Sequence, residues 1–224
     1  MRDHRSRLLQ PLVQIETRDR QFLAGISEVM TEAARLSGHW IACRPGCTEC
    51  CLGPFAINQL DALRLRKGLA LLDEYDLPRA ERVRARAKAY IAAIAQEYPG
   101  DPATGALWDE EGLPASMESV YCPALDRDTG CCDLYEARPI TCRTFGPATR
   151  TTAEVVSTCE LCYAGATDEE ISRCAVDVDR EGMERELVGA LERAGARGMT
   201  IIAFALGLDR FPIDADPNGD PVRR

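Results

Sequence analysis

Four cysteines stand close together in a C-x3-C-x2-C-C motif made by Cys43, Cys47, Cys50 and Cys51. A second group follows at Cys122, Cys131, Cys132 and Cys142. Short turns let neighbouring sulfurs face one point, so thiolates at this spacing can bind one metal ion or one iron–sulfur core. Soft thiolate ligands favour zinc, iron–sulfur clusters or cuprous copper over magnesium and calcium. With eleven cysteines and only two histidines in the chain, we expect any metal site to be dominated by sulfur.

The adjacent cysteines leave the number of sites open. Cys50 and Cys51 cannot easily both bind one tetrahedral zinc without strain, and Cys131 and Cys132 raise the same question. Such pairs suit a polynuclear centre, two neighbouring sites, or a pair in which one sulfur is a bystander. Either there are two sites, or there is one site with several buried thiols. Cys174 lies on the inner face of a predicted helix, and we interpret it as a buried thiol that packs like a small hydrophobic residue.

The bulk composition limits the classes of function. The chain has 224 residues, 46% of them hydrophobic, a formal net charge of −9 and a pI of about 4.9. This acidic balance argues against a nucleic-acid partner or an anionic membrane surface, both of which attract basic patches. Neither a signal peptide nor a run of about 20 apolar residues is evident, so we expect a cytoplasmic protein. In that reducing compartment, clustered cysteines indicate metal ligation more often than disulfides.

Helical periodicity dominates the rest of the chain and predicts a mainly α fold with at most a few short strands. We expect helices over 11–36, 57–74, 79–97 and 168–195, the last interrupted near Gly182. A capping box at Thr167–Glu170 marks the start of the fourth helix. The run Thr200–Leu206 reads as a short buried strand, and Trp108 as a core residue. These elements predict one metal-binding domain over 11–208, with cysteine motifs at 43–53 and 122–145, followed by a disordered tail over 209–224.

Basic residues recur along the third predicted helix, at Arg79, Arg82, Arg84, Arg86 and Lys88. They could form a strip that binds an anion. We favour the alternative, in which they are a solvated helix face.

Three stretches resemble the YkgJ-type cysteine-cluster family, a zinc- or iron-chelating domain with a CxxCxxCC core. They are CRPGCTECCLGPF at 43–55, CPALD at 122–126 and CDLYEARPITCRTF at 132–145. The resemblance implies metal ligation by Cys43, Cys47, Cys50, Cys51, Cys122, Cys132 and Cys142. It adds no role for Cys131, which is an addition beside Cys132, or for Cys159, Cys162 and Cys174.

Two functions follow as hypotheses. The first is a module that binds zinc or an iron–sulfur centre in a structural or sensory role, together with a protein partner. The second is a cluster-dependent enzyme, because a relative in the family is a lysine N-methylase acting on flagellin. The spacing of Cys43, Cys47 and Cys50 also matches the radical S-adenosylmethionine signature, but the alternating strand–helix pattern of that barrel is missing. No residue is assigned a catalytic role. We expect the first motif to share one centre with cysteines of 122–142.

Overall fold

A computed structural model describes residues 3–108, 112–152, 155–179 and 181–209. The chain forms two compact units. The first unit consists of the residues up to 47 together with 140–190, and the second consists of 48–139 together with the residues after 190. The predicted mainly α fold is confirmed, because helices account for most of the regular structure in both units. The single domain over 11–208 stays a prediction.

Helices surround a small sheet in the first unit. Its helices are α1 (Asp3–Ser37), α4 (Ile140–Thr144), α5 (Asp168–Cys174) and the greater part of α6 (Met183–Arg193), with a 3₁₀ turn at Gly38–Trp40. Strand β5 (Thr149–Thr152) pairs antiparallel with β6 (Val155–Ser157) and parallel with β7 (Val176–Asp177). α1 packs on α4, α5 and β7. It buries Ile15, Phe22, Ile26 and Ala33 along one face, as its periodicity predicts.

The second unit is built around three helices, α2 (Gln59–Tyr75), α3 (Leu77–Ile94) and α7 (Ile202–Gly207). Two short antiparallel hairpins join them, β1 (Gly100–Asp101) with β2 (Ala106–Leu107) and β3 (Leu125–Asp126) with β4 (Cys131–Cys132). The 3₁₀ turns are Glu49–Cys51, Ala115–Met117 and Tyr135–Ala137. Asn58 and Asp76 cap α2 and α3 by accepting hydrogen bonds from backbone amides of the first turn. Phe204 of α7 is fully buried and packs with residues of α2 and α3 in one core.

Most helices lie where the sequence predicts them. α2 and α3 lie within three residues of the predicted bounds, and the capping box of Thr167 and Glu170 forms at the start of α5. α1 begins at Asp3, ahead of the expected residue 11. No helix in the described ranges combines the length and the apolar composition needed to cross a membrane.

The interruption of 168–195 near Gly182 is confirmed, because Gly182 turns the chain at a φ of 70°; strand β7 also lies between the two helices. Two other predictions about local structure are wrong. Within the run 200–206, residues 202–206 belong to helix α7 instead of a strand, and Thr200 forms an isolated β-bridge with Ile57. A helix buried on every side has an unbroken apolar sequence, which looks like that of a buried strand. Trp108 is 78% exposed and is not a core residue. The predicted tail lies almost wholly in 210–224, outside the described residues.

Gly68 sets the closest approach between α2 and the 3₁₀ turn Tyr135–Ala137. A Cβ at this position would lie 2.2 Å from the Cβ of Ala137. We therefore expect Gly68→Ala to lower the free energy of unfolding by about 1–3 kcal/mol, as overpacked cores do. Gly25→Ala is the matched control, because Gly25 is also inside a helix but has no atom within 4 Å of the added Cβ. It should be neutral or stabilise the fold by up to about 1 kcal/mol. Urea denaturation of both variants measures the difference, and equal effects would contradict the close approach.

Candidate metal centres

The cysteines form two groups, one in each unit. The first-unit thiols are Cys43, Cys47, Cys159 and Cys162. The second-unit thiols are Cys50, Cys51, Cys122 and Cys132. The motif at 43–51 is therefore divided between its second and third cysteines. No disulfide forms among the described residues, which include all eleven cysteines.

Backbone hydrogen bonds bring the second-unit thiols together. Cys50 and Cys51 lie on the 3₁₀ turn Glu49–Cys51, and the amide of Cys122 donates to the carbonyl of Cys51 over 2.7 Å. The β3–β4 hairpin then pairs Cys132 with Leu125, three residues after Cys122. Three separate stretches of chain thus deliver four sulfurs to one region, because the loops are tied to one another by their main chains.

A hydrogen bond between Cys50 and Cys51 shifts the pKa values of the two thiols in opposite directions. The pKa of Cys50 is lowered to about 6, first because the Cys51 thiol donates a hydrogen bond to its thiolate, with further help from the Arg138 guanidinium. The pKa of Cys51 is raised for the same reason, since losing its proton would break that bond, and burial and the charges of Cys122 and Cys132 raise it further. Burial likewise raises the pKa of Cys122 to about 12 and that of Cys132 above its ordinary value. A negative charge on one of these sulfurs therefore disfavours ionisation of its neighbours.

Arginines of α3 hold the loops that carry Cys122 and Cys132. Asp133 is buried and accepts hydrogen bonds from Arg79 Nε and Arg86 Nη2, each over 2.5 Å. Arg86 also donates from Nε to the carbonyl of Pro123 over 2.8 Å. The interpretation of this helix face as merely solvated is therefore wrong for these two residues. Their partners are distant in sequence, so residue spacing along the helix could not reveal them.

Arg138 brings positive charge to the second-unit thiols. Its guanidinium lowers the pKa of both Cys50 and Cys132, although other groups have larger effects on each. Arg138 donates from Nη1 to the carbonyl of Tyr135 over 3.1 Å and stacks 3.5 Å above the Tyr135 ring. Tyr135 is 57% exposed, so it supports this arginine and does not fill the core. A cation held against an aromatic face keeps a defined position.

The first-unit thiols lie on two short turns. The amide of Cys47 donates to the carbonyl of Arg44 over 3.0 Å, and the amide of Cys162 donates to the carbonyl of Cys159 over 2.9 Å. The sulfurs of Cys43 and Cys162 stand 4.0 Å apart. Burial raises the pKa of Cys43 to about 12, and the negative charges of Cys162, Cys159 and Cys47 contribute in that order. Cys159 and Cys162 are buried in the small core of this unit.

Both groups fit a soft cation by the chemistry of their donors, since each offers four sulfurs. A tetrahedral centre with metal–sulfur bonds of about 2.3 Å places its sulfurs about 3.8 Å apart. The separation of 4.0 Å between Cys43 and Cys162 is close to this edge. Within the described ranges, however, no three His, Cys, Asp or Glu side chains already stand in the arrangement of a bound ion.

Three further cysteines are Cys142, Cys131 and Cys174. Cys142 is half-buried on α4 of the first unit. Cys131 is exposed, and its thiol donates to the carbonyl of Thr129 over 3.6 Å. Cys174 is buried and donates to the carbonyl of Leu36 over 3.4 Å, which agrees with the prediction of a packed thiol. Sequence reasoning missed Cys159 and Cys162 as members of a group, although their C-x2-C spacing is typical of metal ligands.

Comparison with known families accounts for the stretch that holds both groups. The model of the CxxCxxCC family, described as a putative zinc- or iron-chelating domain, matches residues 42–163. That is more than half of the 224-residue chain. The chain belongs to the CxxCxxCC family. The family match ends one residue after Cys162, so it includes all eight grouped thiols and leaves out Cys174. Comparison with curated proteins and with solved structures finds no match.

The family assignment also clarifies the resemblance seen in the sequence. The stretches that resemble the cysteine-cluster family span 43–145, whereas the match to the CxxCxxCC family model extends to residue 163. The match therefore includes the turn that carries Cys159 and Cys162. This chain has three residues between its first two cysteines, where the family name has two. The extra residue belongs to the turn Cys43–Cys47, which contains Gly46 at a φ of 88°.

Asp133 should be essential to the second unit. Replacement by alanine would leave two arginines without their shared carboxylate, so we expect Asp133→Ala to lower the free energy of unfolding by about 2–3 kcal/mol. Asp73→Ala is the matched control, because Asp73 also binds an arginine of α3, Arg84, but both side chains are about one-third exposed. Its expected cost is about 0.5 kcal/mol. Urea denaturation at neutral pH measures both, and a cost for Asp133→Ala no larger than the control would refute the clamp.

Proposed function

We propose that this chain binds zinc or iron through the second-unit thiols and that the bound metal has a structural or sensory role. The observation that carries the proposal is the convergence of Cys50, Cys51, Cys122 and Cys132 from three loops, beside the cation Arg138. These four are among the seven ligands that the sequence resemblance implies. The other three, Cys43, Cys47 and Cys142, lie in the first unit.

Charge balance supports a metal at this place. Four thiolates around one divalent cation have a net charge of about −2. A guanidinium near Cys50 and Cys132 offsets part of that charge, as groups outside the ligand shell commonly do. Cys50 already favours the thiolate, so it supplies the first anionic ligand, and the remaining thiols lose their protons as a cation binds.

The local structure supports a role in folding. The cysteine turn Glu49–Cys51 has no buried residue, although Ala124 and Leu134 of the other cysteine loops lie in the core. Metal bound to such loops contributes directly to folding, on the order of 10 kcal/mol in apparent terms. We propose that the metal orders these loops and thereby presents them to a protein partner. Thiolate ligands avoid disulfide formation best in a reducing compartment, so we propose a cytoplasmic location.

Metal analysis of protein purified without oxygen tests the proposal and identifies the metal. We expect at least about one equivalent of zinc or iron per chain. Colourless protein that contains zinc identifies a mononuclear thiolate site, whereas brown protein with acid-labile sulfide identifies an iron–sulfur centre. Protein that neither retains nor takes up either metal under reducing conditions would overturn the proposal.

Neighbouring cysteines provide a matched pair of variants. We expect Cys132→Ser to lower the metal content and the melting temperature, because it removes a sulfur from the second-unit thiols. Cys131→Ser should leave both unchanged, since that thiol is exposed and donates to Thr129. Elemental analysis and thermal denaturation are the readouts. Equal metal loss in both variants would show that the assignment within this cysteine pair is wrong.

Removal of metal should loosen the cysteine loops before the helices. We expect faster amide hydrogen exchange in 43–53 and 122–145 after chelation, while α2 and α3 keep their protection through the apolar core that they share. Hydrogen exchange with mass spectrometry compares loaded and stripped protein. Uniform loss of protection, helices included, would mean that the metal holds the whole unit together.

A further inference from the structure

Two C-x2–3-C turns face each other in the first unit. Cys43 and Cys47 bracket one turn, and Cys159 and Cys162 bracket the other, with 111 residues between Cys47 and Cys159. The contact between Cys43 and Cys162 joins the turns sulfur to sulfur. Paired short-spaced cysteines of this kind are the usual way in which a protein builds a tetrahedral thiolate site.

Gly146 leaves room for this sulfur arrangement. Its φ is 121°, and an added Cβ would lie 2.7 Å from Cys43 Sγ. Its carbonyl also accepts the amide of Cys159 over 3.2 Å. Gly146 thus leaves space for a sulfur of the first turn and accepts a hydrogen bond from the backbone of the second. It therefore holds the two turns next to each other.

We infer that the first unit holds a metal centre of its own, in which Cys43, Cys47, Cys159 and Cys162 bind a single zinc or iron ion. The inference rests on the proposed function, that the chain binds metal through thiolates, and adds a second centre with separate ligands. It replaces the expectation of one centre shared between the first motif and 122–142. Neither Cys159 nor Cys162 was assigned a role from the sequence.

The sulfur geometry favours one ion over a cubane in the first unit. Cys43 and Cys162 are separated by 4.0 Å, close to the edge of about 3.8 Å that ligands of one tetrahedral ion share. Ligands of a cubane bind different irons and therefore stand farther apart. A disulfide, by contrast, needs a sulfur separation of about 2.05 Å.

Counting zinc tests the inference on the full chain. Chelator-stripped, reduced protein is loaded with Zn²⁺ without oxygen, freed of excess metal and analysed for zinc per chain. We expect about two equivalents in the wild type and about one in each of Cys162→Ser and Cys132→Ser. The control Cys174→Ser removes a buried thiol of the first unit and should keep both. Cys142→Ser should also keep both, since the four ligands proposed do not include it.

The outcomes separate the two proposals. A wild type with about one equivalent that survives in Cys162→Ser would overturn the first-unit centre and leave the proposed function standing. If the wild type binds about one equivalent and both Cys162→Ser and Cys132→Ser lose it, the two groups share a single centre, and this too overturns the inference. No binding at all would overturn both proposals. Loss of zinc in Cys142→Ser would contradict the ligand set.

Alkylation of wild-type protein gives an answer that does not depend on the folding of a variant. Iodoacetamide followed by peptide mapping should show that Zn²⁺ protects the exposed Cys43 and the half-buried Cys47 together, and that chelation restores the reaction of both. Reaction that zinc leaves unchanged would overturn the inference. So would recovery of Cys43 and Cys162 as a disulfide in the loaded, reduced protein.

A glycine pair tests the geometry without removing a ligand. We expect Gly146→Ala to lose the first-unit equivalent, because its Cβ would displace the Cys43 sulfur. Gly165→Ala is the matched control, with a φ of 82° and no atom within 4 Å of the added Cβ. Both variants strain a left-handed backbone, but only the first touches a sulfur. Zinc loss in neither variant, or in both equally, would overturn the role given to Gly146.

Discussion

The buried carboxylate of Asp133 is the interaction on which the second unit depends. It draws Arg79 and Arg86 of α3 onto the loop that follows Cys132, and Arg86 reaches the carbonyl beside Cys122 as well. A buried anion with two cationic donors is stable only while all three remain, since loss of one partner leaves uncompensated charge. The loops that carry Cys122 and Cys132 also bury Ala124 and Leu134 in the apolar core. Their positions therefore derive both from that core and from an ionic junction with a helix that contributes no ligand.

The first cysteine motif is divided between two units, so its four cysteines do not all belong to one group of thiols. Four cysteines within nine residues suggest one centre, yet the chain directs the first two to one set of partners and the last two to another. The adjacent thiols Cys50 and Cys51 are not equivalent, because the hydrogen bond between them shifts their pKa values in opposite directions. Local sequence fixes the spacing of sulfurs, while partners distant in sequence decide which of them converge.

Residue patterns correctly predicted the elements whose structure depends on neighbouring residues in the sequence. The periodicity of α2 and α3 and the capping box at Thr167 were sufficient to place those elements. α7 was mistaken for a strand because a segment buried on every side has no periodicity to read. The pairing of α3 with Asp133 and the grouping of Cys43 with Cys162 depend on contacts across 47 or more residues, which spacing cannot reveal. The ligand set implied by resemblance remains a proposal for the same reason.

Tyr163 adds a consequence for how quickly a centre can assemble. This residue follows Cys162 directly, has a φ of 59° and is 4% exposed. Its hydroxyl accepts the amide of Ala148 and shares a hydrogen bond with Ser37, so a strained backbone is held in place from two sides. A ligand that is already immobilised has little rotational freedom left to lose when an ion arrives. In the proposed first-unit centre, the conformational entropy of this turn would therefore be lost during folding, and binding of an ion would require no further ordering of the turn.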